Sequence, residues 1–184
     1  MIPIIQTPDP VLRKIASEVP LKEIKSPKTQ NILAQMKEAL DSQEDGVAIA
    51  APQIGVSLRI FVVSEKVFDV PEEASERHAR KKEFSAKKYG HLVFINPVIA
   101  KLSKDKAMLE EGCLSIRFKY GKIERAVKVA VKAFDETGKK FARGASGLMA
   151  QVFQHEIDHL NGMLFIDKAV DISDIPPKTD DKKI

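Results

Sequence analysis

The first long periodic segment of the chain has the apolar spacing of an amphipathic helix. Ser26-Pro27 resembles a helix start, because a capping hydroxyl precedes a proline at the first helical position. Apolar residues then recur at helical spacing up to about Gln43, namely Ile32, Leu33, Met36, Ala39 and Leu40. Residues 9–16 (DPVLRKIA) predict a shorter capped helix, so the chain is expected to begin with helices.

Strand patterns dominate the middle of the chain. Residues 58–63 (LRIFVV) and 92–98 (LVFINPV) are apolar runs typical of buried strands, the second broken at Asn96-Pro97. Residues 123–134 alternate between valines and lysines and predict one half-buried strand. A hairpin turn at residues 135–138 (DETG) is expected to lead into the next strand.

The remaining segments complete a prediction of the fold class. Residues 65–90 are rich in charge and short of large apolar side chains, which indicates a solvated insertion. A helix is predicted over Gly147–Leu160, closed by Asn161-Gly162. Strands followed by one strong late helix favour an α+β fold. We expect a single domain over residues 1–170, followed by a flexible tail over residues 171–184.

Composition and charge narrow the classes of protein. The chain has 184 residues, of which 43% are hydrophobic and 30% charged, as in one soluble globular domain. Its net charge of +4 comes without a basic stripe interleaved with aromatics, so sequence-specific nucleic-acid binding is not expected. The apolar runs are too short to span a membrane, and the first residues do not resemble a signal peptide. Cys113 is the only cysteine, which favours a reducing cytoplasm.

The late helix carries the candidate chemistry, in the segment QHEIDH. His155 and His159 are four residues apart and share the apolar helix face with Leu148 and Val152. Their rings can therefore converge on one ion, while Glu156 can reach water beside that ion without being a ligand. The alternative is a pair of core histidines, but three polar groups on a core face would be costly without an ion. We therefore predict a metal site.

Two histidines do not complete a catalytic metal site, so a third ligand is needed. No glutamate follows Glu156, and Phe165 occupies the position of the third histidine in HExxHxxGxxH, so the common peptidase patterns do not fit. The remaining candidates are His78, His91 and Cys113. The two histidines lie in or beside the charged insertion, whereas Cys113 lies in a short apolar-flanked segment. We therefore favour a Cys/His/His set with water in the fourth position.

Three motifs in order resemble the peptide deformylase family. They read GVAIAAPQIG at residues 46–55, EGCLS at 111–115 and QHEIDHLNG at 154–162. The N-terminal DPVLRKIASEV also resembles the first helix of that family, and the resemblance runs over nearly the whole chain. It implies antiparallel β-sheets packed around a central HExxH helix, with helices at the N-terminus.

The resemblance also implies an activity, which is removal of the formyl group from the N-terminal formyl-methionine of new proteins. By position, the metal ligands would be Cys113, His155 and His159. Glu156 would act as general base and acid. The oxyanion would be stabilised by two further groups, the side chain of Gln53 and the backbone N–H of Leu114.

The same resemblance suggests where substrate binds. The segments expected along the substrate contribute Gly46, Val47, Ala48, Glu111 and Gly112. On the helix face, Leu148 and Val152 are expected to form walls of an apolar pocket for the first side chain, with Val47 opposite. Two positions depart from the family, which usually has glycine at Ala48 and often proline at Arg117. The first departure affects substrate positioning, and the second the rim of the pocket.

Cofactor, partners and compartment follow from the resemblance. One divalent ion is expected, Fe2+ in the cell, with Zn2+, Ni2+ or Co2+ as alternatives in a purified sample. The partners would be formyl-methionine N-termini of nascent chains, with transient ribosome association and no membrane, in the cytoplasm or an organelle with bacterial-type translation. Two alternatives stay open. One is a catalytically weak or silent relative that binds peptide N-termini, and the other is a peptidase that cuts internal amides.

Overall fold

The first helix forms where its cap and spacing predict. The structure, a computed structural model, describes residues 2–69 and 90–175. Helix α1 (Pro27–Asp41) begins after Ser26, whose hydroxyl accepts a hydrogen bond from the Thr29 N–H at 3.2 Å. Its apolar side buries the five residues that set the pattern, Ile32, Leu33, Met36, Ala39 and Leu40. The predicted helix over residues 9–16 is only a 3-10 turn, Pro10–Arg13, because Lys14 is already extended.

Within the described ranges, eight strands form two sheets, and all pairings between these strands are antiparallel. The larger sheet has the order β1-β2-β3-β6-β7, with β1 (Ala48–Ala50), β2 (Ile60–Ser64), β3 (His91–Leu102), β6 (Lys128–Phe134) and β7 (Lys140–Ser146). The smaller sheet has the order β4-β5-β8, with β4 (Lys106–Cys113), β5 (Ile116–Ala126) and β8 (Val170–Asp174). The predicted α+β class with antiparallel sheets is confirmed.

The prediction of one strand over residues 123–134 is wrong. The chain leaves β5 at Ala126 and enters β6 at Lys128, so the two halves belong to different sheets. Val127 marks the crossing, where its N–H donates to the Asp105 carbonyl at 3.1 Å. Ile123, Val127, Val129 and Val131 keep an even spacing in the sequence across this crossing, so the hydrophobic pattern alone does not reveal it.

The predicted break at Asn96-Pro97 is a bulge inside a continuous strand. Asn96 has a φ of 50°, and the register with β6 shifts between Ile95 and Val98. The Asn96 side chain makes both hydrogen bonds with the backbone of Val19, each at 2.8 Å. The short polar side chain therefore suits a left-handed position that most residues avoid.

The second helix packs against strands of both sheets. Helix α2 (Gly147–Leu160) contacts β1, β2, β6 and β7 of the larger sheet and β5 of the smaller one. One apolar cluster joins α2 to the inner face of the larger sheet, where the Phe61, Phe94 and Phe153 rings meet. A second cluster joins α1 to the opposite face of β1, β2 and β3. The candidate ligands on α2 are thereby fixed to a packed core.

Segments near both limits of the described residues join the fold through backbone hydrogen bonds. Residues 171–174, expected to belong to the tail, pair with β5 as part of β8. At the other end, an extended N-terminal segment crosses beside the 3-10 turn Ala51–Ile54 and the turn after β4. The Ile5 N–H donates to the Gln53 carbonyl at 2.8 Å, and the Thr7 N–H donates to the Ser115 carbonyl at 3.0 Å. Within the predicted insertion, residues 70–89 lie outside the described residues.

Candidate metal centre

Cys113, His155 and His159 come together at one point between β4 and α2. Their ligand atoms all lie within 4.8 Å of one another, and the Cys113 Sγ is 3.2 Å from the His159 Nε2. The histidines are one helical turn apart on α2, with ring centroids separated by 4.9 Å. Cys113 reaches them because the β4–β5 register shifts at Gly112/Cys113. Spacing on the helix and one irregularity in the sheet therefore assemble the three ligands.

The other ligand candidates lie elsewhere. The His91 Nε2 is 2.8 Å from the Asp41 Oδ1, beside the C-terminal end of α1. His78 falls outside the described residues. Within residues 2–69 and 90–175, the Cys/His/His cluster is the one group that could hold an ion. A thiolate and two imidazoles suit a divalent transition metal such as iron or zinc.

A buried ionic chain orients His155. Its Nδ1 lies 2.9 Å from the Glu111 Oε2, and because a carboxylate can only accept, the Nδ1 carries the proton and the Nε2 is left for an ion. Arg125 donates two hydrogen bonds to Glu111, from Nε at 2.7 Å and from Nη2 at 3.0 Å. The Arg125 Nη1 also donates to the Asp158 Oδ2 at 2.6 Å.

The Glu111 side chain is engaged by other residues of the site, and the expected contact of Glu111 with substrate stays a prediction. It is 5% exposed, and its two oxygens are engaged by His155 and Arg125. Burial alone would raise the pKa of Glu111, but these hydrogen bonds lower the pKa to about 2. The carboxylate thus stays ionised and holds the ring of a ligand, which is a positioning role.

The electrostatics of Cys113 favour the thiolate. Burial alone would raise the pKa of the thiol, but the imidazoles of His159 and His155 lower it to about 5. Two N–H groups also point at the sulfur, one from the Ser115 backbone at 3.4 Å and one from the Gln53 side chain at 3.6 Å. A thiolate is the form of cysteine that binds metals, so this environment prepares Cys113 as a ligand.

Glu156 is buried beside the ligands. It is 4% exposed, its Oε2 has no hydrogen-bond partner among the described residues, and burial raises its pKa to about 7. A buried, unpartnered carboxylate oxygen is costly in a folded core. This energetic cost is explained if the Glu156 Oε2 faces a water or a substrate proton when substrate is bound. This orphaned oxygen beside three soft or borderline donors fits a metal-dependent hydrolytic site.

Gln53 is fixed at the edge of the same cluster. It lies in the 3-10 turn Ala51–Ile54, is 2% exposed, and its Oε1 accepts from the Ala50 N–H at 2.8 Å. The amide nitrogen therefore faces the Cys113 side. Leu114 follows Cys113 directly, and its carbonyl accepts from the Gln6 Nε2 at 2.9 Å. Gln53 thus contacts the ligand cluster, and Leu114 adjoins it in the chain.

Comparison with known proteins agrees with the geometry. A family model described as polypeptide deformylase matches residues 1–174. This chain belongs to the peptide deformylase family. A deformylase of Halothermothrix orenii is 42% identical over 166 residues, covering 90% of this chain and 92% of the relative. Peptide deformylase 1A, chloroplastic/mitochondrial, of Arabidopsis thaliana is 41% identical over 91% of this chain, and the chain spans 61% of that longer relative.

Solved structures of deformylases resemble this fold over most of its length. A peptide deformylase from Legionella pneumophila has a TM-score of 0.72 and 37% identity, covering 91% of this chain and 85% of that one. A Met-Ala-Ser-bound deformylase from Acinetobacter baumannii has a TM-score of 0.76 and 30% identity, covering 91% of this chain and 98% of that one. The fold is therefore that of the deformylase family.

The expected substrate-binding residues divide into two groups in this family member. Val47 and Leu148 are half-buried at the edge of the α2 cluster, whereas Ala48 and Val152 are buried inside it, 7% and 6% exposed. Ala48 does not have a positive φ, so glycine is not required there for backbone reasons. The pocket walls named from the sequence are thus only partly available to a substrate.

Two glycines of the deformylase motifs have packing reasons. A Cβ on Gly112 would lie 2.7 Å from the Tyr120 ring, and a Cβ on Gly46 would lie 3.1 Å from Leu40 and 3.3 Å from Leu114. Arg117, at the family's proline position, contacts the Gln43 side chain and lies 3.4 Å from the Asp45 Oδ1. It therefore links β5 to the residues just before Gly46.

Sequence reasoning assigned no role in the site to three residues that surround it: Ser115, Arg125 and Asp158. Ser115 is fully buried and contacts both Cys113 and Gln53. The available signal was position, since Ser115 lies within a motif and two residues from a ligand.

No helix among the described residues is both long and apolar enough to cross a bilayer.

Proposed function

We propose that this chain removes the formyl group from the N-terminal formyl-methionine of newly made proteins. The observation that carries the proposal is Glu156, a buried carboxylate with an unpartnered oxygen beside a Cys/His/His cluster. Such a cluster alone would suit a structural metal, but a structural site has no use for an adjacent base. Membership of the deformylase family supports the choice of a formyl amide as substrate.

In the proposed mechanism, Cys113, His155 and His159 hold one divalent ion. Bound there, the ion supplies a Lewis acid that lowers the pKa of water toward neutrality and polarises the formyl carbonyl. Glu156 accepts the proton of the attacking water and delivers it to the leaving amine. Its pKa of about 7 suits a group that must both take and give a proton near neutrality.

Oxyanion stabilisation is assigned to Gln53 and the Leu114 backbone N–H. The Gln53 amide is pre-set by Ala50, so its nitrogen faces the ligand cluster before substrate arrives. A donor fixed in advance stabilises developing charge without reorganising during the reaction. Removal of one such donor typically lowers kcat by about 10²–10³-fold.

We propose that the substrate backbone lies along residues 46–48, where Gly46 packs closely against Leu114. The first side chain of the substrate enters an apolar site near Val47 and Leu148, which are half-buried at the cluster edge. An unbranched thioether suits such an irregular slot. We expect formyl-Met peptides to be preferred over formyl-Asp peptides by at least about 10-fold.

The metal and the setting are also proposals. We propose Fe2+ in the cell, with Zn2+, Ni2+ or Co2+ able to occupy the same ligands. Because formyl-methionine N-termini arise during bacterial-type translation, the cytoplasm or a translating organelle is the proposed compartment. Transient ribosome association belongs to the same proposal and predicts salt-sensitive co-sedimentation with ribosomes.

The test of the proposed function is Glu156→Gln, which keeps the shape of the side chain and removes the base. We expect the variant to keep its metal and its melting temperature and to lose hydrolysis of formyl-Met-Ala-Ser by at least about 10²-fold. Glu124→Gln is the matched control, because Glu124 is a half-exposed glutamate that pairs with Lys106 on the surface. That control should hydrolyse the peptide at the parental rate.

Three outcomes separate the proposal from its alternatives. Parental activity in Glu156→Gln would refute the assigned base. A metal-loaded parent chain that binds formyl-Met peptide without turnover would instead support the silent binding relative. Cleavage of an acetyl-capped peptide at an internal amide would favour a peptidase.

A further inference from the structure

Ser115 is a fully buried residue whose polar groups each bind a different part of the site. Its N–H points at the Cys113 Sγ at 3.4 Å, and its carbonyl accepts from the Thr7 N–H at 3.0 Å. Its hydroxyl oxygen accepts from the Gln53 Nε2 at 3.2 Å. One residue with 0% exposure therefore joins a ligand, the N-terminal segment and an expected oxyanion donor.

The hydroxyl contact determines how the Gln53 amide can be used. A glutamine NH2 group has two hydrogens, and its oxygen here is already committed to the Ala50 N–H at 2.8 Å. One hydrogen is directed at the Ser115 Oγ, and the other is directed at the Cys113 Sγ over a longer distance of 3.6 Å. The hydrogen directed at the Cys113 Sγ therefore makes the weaker hydrogen bond, and it faces the ligand cluster.

A substrate can therefore recruit only one hydrogen of Gln53 without breaking a good hydrogen bond. When the Cys113 thiolate binds an ion, its lone pairs are engaged and the long contact from Gln53 is readily exchanged for a carbonyl oxygen. The contact with the Ser115 hydroxyl stays in place and stops the NH2 group from turning. A donor held on both sides in this way is pre-organised for charge that develops in the transition state.

We propose that Ser115 is a positioning residue for Gln53, whose hydroxyl holds one amide hydrogen so that the other points at the substrate's formyl oxygen. The proposal rests on the deformylase function proposed above. The Ser115 hydroxyl touches no reacting atom, so its effect on the reaction passes through Gln53. That hydroxyl has no part in holding the metal, since the contact with the Cys113 sulfur comes from the backbone N–H.

A double-mutant cycle tests this dependence. Ser115→Ala removes one buried oxygen and adds no bulk, so the variant is expected to fold with full metal content. We expect its kcat on formyl-Met-Ala-Ser to fall about 10-fold with KM within about 2-fold, because the lost contact acts in the transition state. Gln53→Ala should lose about 10²–10³-fold. The double variant should be no slower than Gln53→Ala alone.

Ser103→Ala is the matched control. The Ser103 hydroxyl is likewise hydrogen-bonded, to the Asp105 carbonyl and by the Lys128 N–H, but it lies in the turn between β3 and β4. Its activity should equal that of the parent. If Ser115→Ala lost the same factor in the Gln53→Ala background as in the parent, Ser115 would act independently of Gln53 and the proposal would be wrong.

Two further measurements do not depend on turnover. The absorption spectrum of the cobalt-loaded protein should be the same in Ser115→Ala and the parent, and an altered spectrum would place the effect at the metal. In NMR spectra, the Gln53 side-chain amide, assigned by its loss in Gln53→Ala, should exchange faster with solvent in Ser115→Ala. Unchanged exchange would overturn the proposal. An inactive parent chain would instead overturn the deformylase function and leave this NMR result to decide about Ser115.

Discussion

Replacing Arg125 by methionine should break the buried ionic chain that supports His155. Arg125 and Glu111 form their pair with side chains only 6% and 2% exposed, and Arg125 also pairs with Asp158. Methionine has a similar length but no charge, so Glu111 would keep only His155, and Asp158 only the Lys168 ammonium at 3.5 Å. Removing one partner of a buried pair typically costs about 3–5 kcal/mol.

The pKa of Glu111 gives a second measure of the same interaction. It is lowered from 4.5 to about 2, although burial acts in the opposite direction. At about 1.4 kcal/mol for each pKa unit, this difference corresponds to about 3 kcal/mol. His155 shares in the lowering, so Arg125 accounts for only part of it. We therefore expect Arg125→Met to lose about 2–4 kcal/mol of unfolding free energy.

The sign of the pH dependence follows from the same values. Because the pKa of Glu111 is lower in the folded protein, its contribution is present above about pH 4.5 and is lost as the pH falls toward about 2. The difference in stability between the parent and Arg125→Met should therefore be largest near neutrality and shrink in acid. Urea unfolding of the metal-free protein at several pH values measures it.

Lys106→Gln provides the control within the same β4–β5 hairpin. Lys106 and Glu124 also pair across these strands at 2.6 Å, but their side chains are 56% and 57% exposed. An exposed pair contributes about 0–1 kcal/mol, so this variant should unfold almost as the parent does. In Arg125→Met, loss of orientation at His155 should also weaken metal binding by about 10–100-fold. A loss of less than 1 kcal/mol at neutral pH, with unchanged metal affinity, would refute this reasoning.

Three further changes test other parts of the structure. Cys113→Ala should lose both the bound ion, measured by elemental analysis, and activity; full occupancy would remove Cys113 from the ligand set. Gln154→Leu should lower the free energy of unfolding by about 2 kcal/mol, because the Gln154 amide bonds the N–H and the carbonyl of Ala126, where the chain changes sheets. An unchanged midpoint in urea unfolding would contradict this. Ala48→Gly should lower the free energy of unfolding by about 1 kcal/mol and leave KM unchanged, since the Ala48 methyl packs in the core. A changed KM would instead place that methyl in the substrate site.

Local elements were predictable from the sequence where a single capping residue or a single hydrophobic spacing determines them. Ser26 and Pro27 determine the start of α1, and the spacing of His155 and His159 determines their common face on α2. These features depend on neighbours within a turn or two along the chain. The choice of Cys113 over His91 as third ligand also followed from the sequence, because it relied on elimination among few residues.

Features that depend on distant contacts were not predictable. The division between β5 and β6 at Val127 leaves the hydrophobic alternation intact, and only pairing with different strands reveals it. Glu111 was expected to bind substrate because its motif resembles that of the deformylase family, and the partners of its carboxylate were not expected. Its true partners, His155 and Arg125, lie 44 and 14 residues away in the chain. No local pattern reports which of these groups a buried carboxylate will meet.

The N-terminal segment has a consequence for how the site fails on heating. Ile5 and Thr7 are bonded to the two elements that carry Gln53 and Ser115, whereas the ligands lie on β4 and α2. A segment held through a few backbone hydrogen bonds opens at lower free energy than packed strands and helices. Release of this segment would loosen the donors for the formyl oxygen while the metal stays bound. Thermal inactivation would then begin as a local, reversible opening, at temperatures where the core and the ion are still in place.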